Sequence, residues 1–148
     1  MVKRLDENNP VLLDHVGWRL WRLASGWKAE FDAAMVGRGH AWFAEARSGL
    51  IGHLDREGTP QSELAARMRL TKQAVQQFVD ELVADGIVAR HDNPRDGRSK
   101  IVRFTRKGLH ALADANAVKQ EIQARYASLL GPKRFAEFMA TLEKLGAG

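Results

Sequence analysis

Apolar residues advance by threes and fours along the first part of the chain, at Leu13, Val16, Leu20, Leu23, Trp27, Phe31 and Ala34. That spacing lines one face of a helix and predicts a long helix over residues 10–35. Trp18 and Trp21 lie off the stripe and widen the apolar surface, which asks for a cover. The chain's own C-terminal helices, a second subunit or a ligand would each supply one. After a connection over residues 36–40, a second helix is expected over residues 41–53, with Phe43, Ala46, Leu50, Ile51 and Leu54 inward. Gly49 and Gly52 weaken it, so it should be sheltered by neighbours.

The pattern shortens in the middle of the chain. Thr59-Pro60 reads as a hydroxyl cap followed by proline at the first helical position, where a missing N–H costs nothing. A short helix is expected from Pro60 to Met68, and Thr71 is placed to cap another over residues 72–85. Apolar Leu64, Met68, Leu70, Val75 and Phe78, with small Ala65 at the crossing, are the positions two short crossed helices need. The turn position that usually holds glycine is Arg69, so the turn is expected to avoid a left-handed residue. Asp85-Gly86 ends the second helix, and residues 87–91 and 100–104 alternate as two strands around an Asn93-Pro94-Arg95-Asp96-Gly97 turn.

Thr105 caps a long helix to Leu130, with Leu109, Leu112, Ala115, Ile122, Tyr126 and Leu129 as its apolar line. Gly131-Pro132 stops it and starts a last helix, where Phe135, Phe138, Met139, Leu142 and Leu145 recur until Gly146. The fold class is therefore mostly α with a small antiparallel β-wing, in one domain over residues 1–148. A winged helix-turn-helix part over residues 41–108 is flanked by amphipathic helices at 10–35 and 109–146. Such flanking helices suit a pairing surface between two copies of the chain.

Charge changes the picture in the wing. The 148 residues carry a net +5, and residues 86–107 alone carry +5, with Arg90, Arg95, Arg98, Lys100, Arg103, Arg106 and Lys107 outweighing Asp92 and Asp96. The helix that Thr71 opens buries Val75, Phe78, Val79, Leu82 and Val83 and turns Gln73, Gln76, Gln77 and Asp80 the other way. Amides donate and accept at once, which suits base edges in a major groove, although an ordinary solvated face has the same look.

The run from Asn93 to Gly108, NPRDGRSKIVRFTRKG, closely resembles the wing and following helix cap of the MarR (multiple-antibiotic-resistance regulator) family of bacterial transcription factors. Gln61-Ser62-Glu63-Leu64-Ala65 and the run from Leu82 to Val88 are similar to that family too. Asn93 stands where Asp is frequent, and Gln77 where Arg is frequent. The resemblance implies that Asp96 and Arg98 form the family's Asp-x-Arg pair, with the arginine approaching the minor groove. It implies a homodimer of interlocked terminal helices, and a small, often aromatic or phenolic, effector that releases DNA.

Several classes fall away. There is no cysteine, which excludes disulfides, thiolate zinc sites and thiol-based sensing. His15, His40, His53, His91 and His110 are scattered without metal-ligand spacing, Asp80 and Glu81 point to different faces, and no nucleophile elbow occurs. Neither an enzyme, a metal site nor a cofactor is expected. No apolar run approaches the roughly 20 residues of a membrane span, so a cytoplasmic location is expected.

These readings converge on a sequence-specific regulator that binds double-stranded DNA as a homodimer on a near-palindromic operator, and most simply a repressor relieved by an effector. Thr71, Lys72, Gln73, Gln76, Gln77, Arg95, Asp96, Arg98, Lys100 and Arg103 are the candidate DNA-binding residues. Lys72, Lys100 and Arg103 suit phosphates, and the glutamines suit bases. His15, Trp18, Arg19, Arg22 and Arg47 are the candidate effector residues, with rings for an aromatic body and an arginine for a carboxylate. A constitutive architectural DNA-binding protein and a winged-helix module that binds protein are the alternatives.

Overall fold

The computed structural model describes residues 13–147. Helix α1 spans Val16–Gly37, and His15 caps it, its Nδ1 accepting from the Trp18 N–H at 3.3 Å. The expected start at Pro10 lies outside the described residues, and residues 13–15 are not helical. Two 3-10 helices follow at Ala41–Ala44 and Ala46–His53, where a single α-helix was expected. Gly49 and Gly52 are exposed, not sheltered, and give this segment little α-propensity, while Leu50 and Ile51 still reach the core.

Thr59-Pro60 is strand β1, not a helix cap. Thr59 is fully buried, and its Oγ1 accepts from the Asp55 N–H at 2.9 Å, so the hydroxyl closes the preceding turn and leaves α2 uncapped by a side chain. Helix α2 then runs Gln61–Met68, α3 Lys72–Ala84, β2 Val88–His91 and β3 Ile101–Phe104. The antiparallel sheet has the order β1-β3-β2, with Thr59 opposite Val102 and Val88 opposite Phe104. The wing thus has a third strand, and the segment that starts α2 is part of its sheet.

Helix α4 spans Arg106–Leu130 and α5 spans Pro132–Gly146, with Gly131 between them at φ 79°. Thr105 Oγ1 accepts from the Gly108 N–H at 3.0 Å, as a capping residue should. Gly108 is the residue this junction cannot do without, because a Cβ there would stand 2.0 Å from the Ile87 carbonyl oxygen.

The core joins α1, the 3-10 helices, the helix pair, the sheet and α4. Met35, Leu50, Leu64, Val75, Val79, Leu82, Ile87, Val102 and Ala111 are fully buried. Phe43 is its aromatic hinge, stacked with Trp42 at 4.1 Å and edge-on to Phe31 at 5.7 Å. The buried face of α4 is Ala111, Ala115, Val118 and Ile122, so Leu109 and Leu129 stand outside the line expected to hold them. Val83 is likewise exposed on α3.

At the other end the molecule leaves apolar surface open. Helix α5 has no buried residue, and Leu20, Leu23, Met139, Leu142 and Leu145 are exposed. A groove of about 490 Å³ runs between α1, α4 and α5, lined by Leu20, Leu23, Trp27, Tyr126, Phe138 and Leu142 among others. Trp18 and Trp21 stack on each other at 5.1 Å and stay 43% and 60% exposed, so they do not pack into the chain's own core.

Candidate nucleic-acid interface

The turn between α2 and α3 is tight, and Arg69 makes it so. It adopts φ 53°, ψ 39°, the left-handed conformation expected to be avoided, and the Leu70 N–H reaches the Ala65 carbonyl at 3.2 Å. A left-handed non-glycine residue costs about 1–2 kcal/mol, offset here by two backbone hydrogen bonds from the Arg69 N–H. Thr71 then caps α3, its Oγ1 accepting from the Ala74 N–H at 3.1 Å. The caps and the turn fix how α3 projects. Its buried stripe of Val75, Val79 and Leu82 anchors it, and Lys72, Gln73, Gln76, Gln77 and Asp80 are exposed.

The glutamines are not alike. Gln77 donates to Glu81 at 3.1 Å, one turn on along the helix. Gln76 donates to Asp80 at 3.1 Å and accepts from Gln61 Nε2 at the head of α2. Gln61 in turn accepts from Arg90 Nε of β2 at 3.0 Å, and Arg90 Nη2 lies 2.7 Å from Asp80 Oδ1. Gln61 and Arg90 were not among the candidate residues. Nothing local in the sequence pairs them, since the contact spans 29 positions and exists only once β2 folds beside α2.

The wing tip is built by two short side-chain turns. Asn93 Oδ1 accepts from the Arg95 N–H and Asp96 Oδ1 from the Arg98 N–H, both at 3.0 Å. Asp96 therefore shapes the tip, while the Arg95 and Arg98 side chains are exposed. Ser99 Oγ meets Ser62 Oγ at 3.2 Å and moors the wing to α2. Lys100 pairs with Asp92, whose carboxyl it holds below the ordinary range, so this cation is partly neutralised within the chain. The Arg103 stem lies over Gly58, where φ is 99° and a Cβ would stand 2.5 Å from Arg103 Cγ. Only glycine fits beneath it.

The candidate effector residues separate. Trp18, Arg19 and Arg22 line one cleft of about 540 Å³ with Asp14 and Leu23, and His15 caps the helix beside it. Arg19 is engaged by Asp14 at 2.6 Å, a bond that also holds the Asp14 carboxyl below its usual range. Arg47 is elsewhere. Its side chain is only 14% exposed and ties the second 3-10 helix to α3 through Asp85 at 2.9 Å, with Glu45 and Glu81 nearby. Those acceptors make it a brace between elements, and it does not line the cleft.

Among the described residues no group of three or more His, Asp or Glu side chains could hold a metal ion, and no helix is long and apolar enough to cross a membrane.

Comparison with known proteins matches this geometry to a family. Residues 46–99 fit the family model described as "MarR family". A crystal structure of a MarR-family transcriptional regulator from Rhodococcus sp. RHA1 is 26% identical over 88% of this chain and 91% of its own, with a TM-score of 0.65. The chain is similar to the MarR family in its winged part and in its fold. The HTH-type transcriptional regulator BilQ of Clostridium symbiosum is 29% identical over 62% of this chain and 63% of its own length. An HTH-type transcriptional repressor of Mycobacterium tuberculosis is 33% identical over 61% and 65%. The chain thus spans less than two thirds of the length of these curated relatives. The Rhodococcus match extends the MarR fold over most of the helices that flank the winged part.

Proposed function

We propose that this protein is a homodimeric transcriptional regulator of the MarR type that binds double-stranded DNA. One observation carries the reading: α3 turns an exposed row of amides outward beside a wing whose tip holds Arg95 and Arg98 exposed. In this reading α3 enters a major groove, Gln73, Gln76 and Gln77 meet base edges, and Arg95 and Arg98 reach the adjacent minor groove. Lys72 and Arg103 contact phosphate, Lys100 does so after exchanging Asp92 for it, and Asp96 holds the tip in shape. The names of the curated relatives, a regulator and a repressor, support it.

The open apolar faces of α1 and α5 support a second copy as their cover, which makes the operator near-palindromic with half-sites about 34 Å apart. Repression relieved by a small aromatic or phenolic anion is the finer part of the proposal. It is supported by the cleft where Trp18 stands beside Arg19 and Arg22. A ligand there acts only by preferring a dimer geometry that does not fit DNA.

Selection from a randomised duplex pool, at two salt concentrations with competitor present, tests the reading. A recovered palindrome that Arg98→Ala weakens across all sequences supports it. Tight binding without selectivity would favour an architectural role, and no binding at low salt would defeat both.

A further inference from the structure

Four side chains on three elements close into a ring, three of its sides hydrogen bonds and the fourth an ion pair: Arg90 to Gln61, Gln61 to Gln76, Gln76 to Asp80, and Asp80 back to Arg90, whose Nη2 lies within ion-pair distance without a hydrogen bond. The ring admits one arrangement of its two amides. An arginine can only donate, so Gln61 must turn its oxygen to Arg90 and its nitrogen to Gln76. A carboxylate can only accept, so Gln76 must turn its nitrogen to Asp80 and its oxygen to Gln61. Both ends agree. An isolated glutamine on a helix surface has no such constraint, because a half-turn of its amide exchanges donor and acceptor.

Gln76 spends one N–H and one lone pair on the ring and keeps one of each. That remainder is what a bidentate contact to adenine uses, an acceptor for N6–H and a donor for N7. We propose that Gln61, Arg90 and Asp80 are positioning residues that set the amide of Gln76 in one orientation and so make it read an adenine in the major groove. The inference rests on the DNA-binding reading above. Arg90 is suited to this part, with its side chain 25% exposed and its guanidinium shared between Gln61 and Asp80. The Gln76–Asp80 bond alone is a one-turn contact on an exposed helix face, a kind that contributes only a few tenths of a kcal/mol. The cross-element bonds from Gln61 and Arg90 are what turn it into a fixed arrangement.

The test uses the full chain and the motif its wild type recovers from randomised duplexes. Gln76→Ala marks the base pair that Gln76 reads, and competition between A·T and the other pairs there gives the discrimination, about 5- to 150-fold for a good bidentate contact. Gln61→Met removes the ring's donor without changing charge. It is expected to lower discrimination at that pair at least fivefold, to leave the other positions, the non-specific affinity and the melting temperature as they were, and to change nothing further in a Gln76→Ala background. Undiminished discrimination in Gln61→Met, an equal loss at every position, or a marked pair other than A·T overturns the proposal while the DNA reading stands. A wild type that recovers no motif overturns both.

Discussion

Replacing Gly108 by alanine sets two opposed effects against each other, and the structure decides between them. Alanine in a helix is favoured over glycine by up to about 1 kcal/mol. The new Cβ, however, would stand 2.0 Å from the Ile87 carbonyl oxygen and 3.0 Å from its carbon. Carbon–oxygen contacts settle near 3.3 Å, so helix and strand must part by roughly 1 Å. The same carbonyl accepts from the Thr105 N–H at 3.0 Å and from Thr105 Oγ1 at 3.2 Å. Overpacking of this kind costs about 1–3 kcal/mol, and each weakened hydrogen bond up to about 1. The net expectation is a loss of about 2–3 kcal/mol, or roughly 5–10 °C in Tm for a chain of this size. Urea unfolding followed by circular dichroism measures it, at one fixed protein concentration because association shifts the midpoint. Gly26→Ala is the sign control: an added Cβ there meets nothing within 4 Å, so it should stabilise by about 0.5–1 kcal/mol. A Gly108→Ala chain as stable as wild type would refute the steric argument.

Three further outcomes are expected. Arg69→Gly should raise stability by about 0.5–1 kcal/mol in the same unfolding experiment, since glycine holds φ 53° without the Cβ penalty. Met139→Glu, on the open face of α5, should lower the mass seen by analytical ultracentrifugation from two copies to one. The Asp114 carboxyl accepts from His40 at 2.7 Å, and that bond holds it below the ordinary carboxylate range. Its contribution to stability is therefore present above the unfolded value near 3.8 and is lost as pH falls through the lower folded one. Asp114→Asn should flatten the acid limb of a Tm-against-pH curve and leave its shape near neutrality less affected.

What was legible in the sequence was what neighbouring residues settle among themselves. Thr71 and Thr105 cap helices because a hydroxyl three residues ahead of a free N–H is a local arrangement, and Gly131-Pro132 punctuates α4 and α5 for the same reason. The amide face of α3 followed from helical periodicity alone. What escaped was decided at a distance. Thr59 looked like a cap until β3 paired with it, and Arg69 takes a left-handed turn because the α2–α3 crossing demands one. Arg47 was grouped with the tryptophans by chemistry, whereas it is held by Glu45 beside it and by Glu81 and Asp85 at the end of α3. The Gln61–Arg90 contact has no local signature at all.

The third strand of the sheet has a mechanical meaning. Because β1 pairs with β3 and leads straight into α2, and Ser99 is moored to Ser62, the wing is not a flap on its own hinge. A displacement of α2 is therefore carried straight into the wing through β1 and the Ser62–Ser99 contact.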